Sequence, residues 1–386
     1  MEYLSKNELL SLIERVFDPG PEEQNIAILV DLPEEIESDN PRWQERRHIA
    51  WNWYKNLQEA QKEGGPFKPS FYLYRAVMAG NGDLPPVMWP WSANNLPLSA
   101  AALAGAPEDS LSEIFSHNSL IMAPTEYSAT APLKLAAPRY GFKAATLPGF
   151  SEDMIPALRL DYQEVAKKVR SLSNWLTKAI GAKISFKVEG RDEPLALYLD
   201  LRHRTAHSST GLITEKGQAG NVPSGESYIV PYEGEVEGEP SKTRGTLPVQ
   251  FGTDVLFYHI EQNRAIGVTG CGPVARQEST RLREEPAYGN LAELGLGVLG
   301  GFGLKPIGAI LLDEKLGLHI AFGRSDHFGG QVGARQFNDP KKMVHIDRVY
   351  VKEMQPAITV AKAILELIDG EVELMTDGEY NAALFE

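Results

Sequence analysis

The sequence contains a single cysteine, Cys271, in 386 residues. That excludes an internal disulfide and any structural zinc site built on thiolates, and a reducing compartment, the cytoplasm, is the expected setting. Positive charge is also scarce: 38 Lys and Arg stand against 52 Asp and Glu, a net charge of −14. Phosphate neutralisation needs clustered Lys and Arg, so no nucleic acid and no anionic membrane is expected as a partner. No long hydrophobic run is present. The longest weakly charged stretch, Leu294 to Leu304, is rich in glycine and too short to span a bilayer. From Met1 to Val16, Leu9, Leu10, Leu12, Ile13 and Val16 alternate with Glu and Lys, as in a surface helix and unlike a secretion signal. Internal repeats and low-complexity tracts are missing as well.

The apolar fraction of 42% and charged fraction of 23% are those of a globular protein, and the length exceeds one ordinary hydrophobic core. Short apolar runs at Asn25 to Asp31, Phe71 to Val77, Ser119 to Ala123 and Ala144 to Leu147 are separated by helix-compatible sequence such as Pro41 to Glu63. This alternation predicts an α/β layer with a largely parallel sheet. The Trp- and Pro-rich segment 84–100, with Trp89 and Trp91, interrupts it and is read as packing. Tyr162 to Ile180 has Val165, Val169, Leu172, Leu176 and Ile180 at helical spacing, and the domain boundary is placed near it. Beyond, β-favouring runs at Lys183 to Val188, Leu195 to Leu201, Thr253 to His259, Arg264 to Val268 and Val344 to Val351 follow, and Pro356 to Ile368 reads as a closing helix. The expectation is an α/β domain over 1–160 and a β-rich, metal-binding α+β domain over 161–386.

The chemistry-bearing residues cluster in that second half. His345 and Asp347 stand at i and i+2 in a strand pattern, so they project from one face and can grip a divalent ion. Alone, such a pair is more often an ordinary surface pair. Upstream, Asp313 and Glu314 precede His319, which is set among Leu318, Ile320, Ala321 and Phe322. A hydrogen-bonded core histidine is the plain alternative there. Glu226 (in GNVPSGE) and Glu293 (in NLAELGLG) are lone acids beside glycines and apolar residues, where an unpaired carboxylate costs several kcal/mol, by order of magnitude, unless a cation or a proton accompanies it. Capping or turn roles would explain Gly225 and Gly295 without explaining the acids. Together Glu226, Glu293, Glu314, His319, His345 and Asp347 suffice for two divalent ions sharing a carboxylate, with oxygen-rich donors that suit Zn, Co, Mn or Mg. The other histidines carry less weight: His203 and His207 lie in a polar stretch with Arg202 and Arg204, and His48, His117 and His259 lack an acidic partner in sequence.

At these residues the chain resembles the aminopeptidase T and aminopeptidase S family of bacterial metallo-aminopeptidases. GNVPSGE at 220–226, AELGLG at 292–297, DEKLGLHIAFG at 313–323 and HID at 345–347 occur in family order. The resemblance implies two divalent metal ions bound by Glu226, Glu293, Glu314, His319, His345 and Asp347, a metal-activated water, and a short peptide as substrate. It also implies a homodimer. Glu226 or Glu293 would shuttle the proton. The family's Tyr seven residues after the third motif's His is absent: position 326 is Asp, and the neighbouring His327 is the expected oxyanion donor. A related branch with the same carboxy-terminal architecture includes an iron-dependent, dihydroxypyridine-opening dioxygenase that uses two His and one Asp. That is the alternative, together with a non-catalytic relative.

Overall fold

The computed structural model describes residues 3–385. The chain divides into two units, Met1–Ala166 with Gly211–Ser224, and Lys167–Thr210 with Gly225–Glu386. Among the described residues, no helix is long and apolar enough to cross a membrane.

The first unit is built on a sheet in the order Ala219–Asn221, Lys143–Thr146, Leu120–Ala123, Asn25–Leu32, Lys68–Arg75, Val87–Pro90, Asp109–Ser110. Its first five strands run parallel. In the central strand every residue after Asn25 is buried, because helices cover both faces of such a sheet. The helix Lys6–Phe17 begins at a capping box of Ser5 and Glu8 and buries Leu9, Leu12, Ile13, Val16 and Phe17. The Trp-rich segment is partly sheet: Val87–Pro90 adds antiparallel to Lys68–Arg75, with Leu73 opposite Trp89, and Met88 and Trp89 are buried. Asp31 ties the end of the central strand to the next loop by accepting from the Glu126 and Tyr127 amides (2.8 and 3.0 Å) and from Trp43 Nε1 (3.0 Å). Burial pushes its carboxyl up to about 6 against the pull of those hydrogen bonds.

A buried ion pair fixes the strand after the helix Thr130–Tyr140. Lys143 Nζ lies 2.8 Å from Glu23 Oε2 and donates to the Phe17 carbonyl at 3.0 Å, with both side chains almost fully covered. Removing one partner of such a pair strands the other charge away from water. Glu23→Ala is therefore expected to destabilise the protein by about 3 kcal/mol, read as a lower midpoint in urea unfolding followed by tryptophan fluorescence.

The second unit is β-rich, as the fold class read from the sequence requires. One antiparallel sheet has eight strands, in the order Arg264–Thr269, Asp254–Glu261, Arg244–Phe251, Leu195–Asp200, Ala179–Val188, Ile358–Leu367, Gly370–Thr376, Glu379–Tyr380. The expected closing helix over Pro356 to Ile368 is instead the strand Ile358–Leu367, paired with Ala179–Val188 on one side and Gly370–Thr376 on the other. The β-branched start (Ile358, Thr359, Val360) and the inward Ile358, Val360, Ala363 and Leu365 fit a pleated ribbon, with a register shift between Val360 and Lys362. That shift breaks strict alternation and produces the apparent helical spacing. A second, five-stranded sheet carries the acids and histidines, in the order His345–Val349, Leu318–Gly323, Leu291–Gly297, Glu226–Ile229, His207–Ser209, all antiparallel.

Candidate metal centre

Cross-strand register assembles the site. Glu226 lies opposite Gly297, Tyr228 opposite Gly295, and Gly295 opposite His319. Glu293 lies opposite Ala321, which lies opposite Asp347, and Gly323 is opposite His345. Since side chains alternate, Glu226 and Tyr228, Glu293, His319, and His345 with Asp347 project from the same face of four adjacent strands. Both central strands are buried along their whole length, so Glu293 and His319 are shielded from water although they are polar.

Glu293 is the common member of two groups. Its Oε1 is 3.2 Å from His319 Nε2 and its Oε2 is 3.2 Å from His345 Nε2. Asp347 Oδ1 is 3.5 Å from His345 Nε2, and Glu226 Oε2 is 3.6 Å from His319 Nε2. Thus Glu226, Glu293 and His319 offer one set of ligand atoms within 4.8 Å of one another, and Glu293, His345 and Asp347 offer a second. Both imidazoles are oriented from behind: Nδ1 of His319 faces the Gly317 carbonyl at 3.2 Å, and Nδ1 of His345 faces the Arg324 carbonyl at 2.8 Å. That leaves each Nε2 for the cluster, the arrangement metal-binding histidines need.

The donor set fits a divalent cation on two counts. Glu226 Oε2 is buried with no hydrogen-bond partner, an acceptor left facing the cluster. Three carboxylates (Glu226, Glu293, Asp347) converge beside Glu314 with one ammonium, Lys315, an excess of negative charge that neutral histidines leave uncompensated.

Glu314 sits differently from the other five. It opens the 3-10 turn Glu314–Leu316, belongs to neither three-residue group, and is ion-paired with Lys315. Lys315, almost completely buried, also donates to Glu226 Oε1. The sequence reading passed over this lysine; its signal was a lone cation between Glu314 and the apolar strand carrying His319. Gly297 makes the turn's approach feasible, since a Cβ there would meet the Lys315 backbone carbon at 2.2 Å. Gly295 has the same role for His319: its added Cβ would fall 1.9 Å from Nε2. Gly295 lies within the strand and Gly297 ends it, paired with Glu226, so neither caps a helix.

His327 is in neither group. It stands on the 3-10 turn Asp326–Phe328, exposed, with its ring 5.3 Å from that of His345. Partial burial, with His345 and Arg324 close by, pushes its pKa down to about 4, so it is neutral at neutral pH. Asp326 is tied to Arg324 Nε at 2.5 Å. The turn's neighbour Phe328 reaches across the face, 4.7 Å from Tyr228 and 5.5 Å from His345 between ring centres. Its loop is fastened by Glu233, which accepts from Ser325 Oγ (2.6 Å), from Asn290 Nδ2 (2.7 Å) and from the Gln331 amide.

Charge in the cluster is strongly shared. Burial acts to raise the Glu293 carboxyl, but the two imidazoles overcome it and hold Glu293 well below the usual carboxylate range. Burial, with Glu226 and Asp347 nearby, pushes Glu314 up to about 8 against the pull of Lys315. His319 is raised to about 9 despite burial, by Glu293, Asp347 and Glu226, and His345 is raised well above its ordinary value by Asp347 and Glu293. In the metal-free protein His319 therefore stays protonated up to about pH 9. Metal needs neutral imidazoles, so loading is expected to release protons and apparent affinity to climb as pH rises toward 9. Calorimetric titration with Zn in two buffers of different ionisation heat reads this directly. Stability of the metal-free protein runs the other way. A pKa raised from 6.5 to about 9 contributes fully below 6.5 and is lost as pH rises through 9.

No family model matches the sequence, and no curated protein matches it. Solved structures do share the fold. The chain superimposes on 2,5-dihydroxypyridine dioxygenase from Pseudomonas putida KT2440 with a TM-score of 0.61 at 14% identity, covering 98% of each chain. It superimposes on AmpT from Thermus thermophilus with a TM-score of 0.54 at 15% identity, covering 97% of this chain and 99% of that one. The chain accordingly shares its fold with both of these proteins.

Proposed function

We propose that the protein is a metal-dependent aminopeptidase that hydrolyses the amino-terminal bond of short peptides. The observation that carries this reading is the carboxylate of Glu293, whose two oxygens face two different histidines and belong to two ligand groups at once. A carboxylate shared in this way can serve a pair of divalent ions. Glu226, Glu293 and His319 would hold one ion and Glu293, His345 and Asp347 the other, with Glu314 beside them. Bound there, divalent ions supply a water of lowered pKa and polarise a carbonyl.

The residues of the chain itself have separable tasks. Glu226 keeps Oε2 free of hydrogen bonds while Lys315 holds its Oε1, so it is the better suited of the two candidate acids to carry a proton. Both oxygens of Glu293 are engaged. Lys315 keeps Glu226 and Glu314 from repelling each other in a buried place. His327, neutral and with its ring centre 5.3 Å from that of His345, would serve as a donor toward developing negative charge.

One observation favours a second reading, a single iron and an oxygen-dependent ring opening. The Lys315 ammonium is already paired with Glu226 and Glu314, and His319, His345 and Asp347 then offer the two imidazoles and one carboxylate that such a site uses. Elemental analysis after dialysis against each metal separates the two: about two Zn, Co or Mn per chain with release of leucine from Leu-initiated peptides supports the hydrolase. One iron per chain, with oxygen uptake on a dihydroxypyridine and no peptide cleavage, overturns it.

A further inference from the structure

Tyr228 takes no part in either ligand group, yet it lies on their face of the sheet, two residues beyond Glu226. Its register partner is Gly295, and the next residue across is His319. Because Gly295 has no side chain, and the His319 imidazole occupies the volume its Cβ would take, no other side chain of that row stands between the Tyr228 ring and His319.

The ring is held on two sides. His207 stacks on it at 5.2 Å with an interplanar angle of 22°, and Phe328 leans on it at 4.7 Å. His207 Nε2 is also 3.1 Å from the Phe328 carbonyl, which pins these clamping residues to each other. A tyrosine clamped this way has lost its rotamer freedom in advance, so its hydroxyl costs little to aim. That hydroxyl makes no hydrogen bond to any described residue, although half-buried phenols normally find a partner.

We propose that Tyr228 is a substrate-contacting residue of this centre, donating its phenolic hydrogen to a carbonyl or oxyanion oxygen of the ligand held at the metal face. The inference rests on the metallohydrolase reading. It assigns the hydrogen-bond donor to the Glu226–Ile229 strand in addition to the exposed turn that carries His327. Phe328 and His207 then form, with the Tyr228 ring, an aromatic wall at the mouth, suited to an apolar amino-terminal side chain.

The test compares wild type with Tyr228→Phe, which keeps the ring and its packing. Both proteins are loaded with Zn, and binding of leucine hydroxamate, a non-cleaved substrate mimic, is measured by calorimetry alongside Tm and Leu-peptide turnover. The expected result is unchanged metal content and Tm, hydroxamate affinity lowered about tenfold, and kcat lowered about 10- to 100-fold with KM little changed. Wild-type affinity and kcat in Tyr228→Phe overturn the proposal and leave the hydrolase reading standing. A lowered Tm with unchanged kcat assigns the hydroxyl a structural part and also overturns it. If wild type holds Zn but neither binds the hydroxamate nor cleaves peptide, the hydrolase reading fails and the proposal with it.

Discussion

Glu293→Gln is expected to lose bound metal and peptide hydrolysis together, each by more than about 100-fold. The reason is geometric. Glu293 is the one side chain common to both ligand groups, with Oε1 3.2 Å from His319 Nε2 and Oε2 3.2 Å from His345 Nε2. An amide of the same shape offers a single acceptor oxygen and puts an NH2 toward one of the two histidines. It also removes a negative charge common to both ligand groups, which would face both cations. The substitution thus weakens both halves of the site at once, whereas Asp347→Asn touches only one. Metal retained after dialysis, measured by elemental analysis, is the primary readout. Undiminished metal in Glu293→Gln would show that this carboxylate is not shared.

Gly295→Ala is expected to have nearly as large an effect without altering any ligand. The new methyl would lie 1.9 Å from His319 Nε2 and 2.2 Å from its Cε1, well inside van der Waals contact. The imidazole cannot yield cheaply, because its Nδ1 is committed to the Gly317 carbonyl and the residue is completely buried. Either the ring turns away from Glu293 or the strands separate. Overpacking of this kind costs about 1–3 kcal/mol of stability, and a displaced ligand lowers metal affinity by about tenfold or more. Differential scanning calorimetry with and without Zn is expected to show a lower Tm and a smaller metal-induced increase. Gly267→Ala is the control: it lies in a strand of the other sheet with nothing within 4 Å of the added carbon, and both quantities should hold.

These glycines also show what can be read from sequence and what cannot. His345 and Asp347 were legible as a pair because a strand fixes i and i+2 on one face, and the observed strand His345–Val349 bears that spacing. Glu226 and Glu293 stood out as acids in apolar company, where burial demands a counter-charge. Their mutual position, however, depends on antiparallel register between strands separated by long stretches of chain, which local pattern does not encode. For the same reason Gly295 reads as a turn or cap residue, when it makes room for His319, as Gly297 does for the Glu314–Leu316 turn. Lys315 is not legible, because a lysine following two acids has the pattern of an ordinary solvated pair and its burial comes only from the fold. The strand Ile358–Leu367 read as a helix because its register shift disguises a period of two. The parallel sheet of the first unit was the easiest part, since continuous apolar runs such as Ile26 to Val30 have few other uses.

The loop bearing His327 and Phe328 hangs from Glu233, a carboxylate outside both ligand groups. Threshold and engine are thus moored to separate points of the chain. Alterations at Glu233 or Gln331 re-hang that loop, while Glu226, Glu293, His319, His345 and Asp347 keep their own strands. On the proposed reading, the size of side chain accepted beside the site would then change through residues outside both ligand groups.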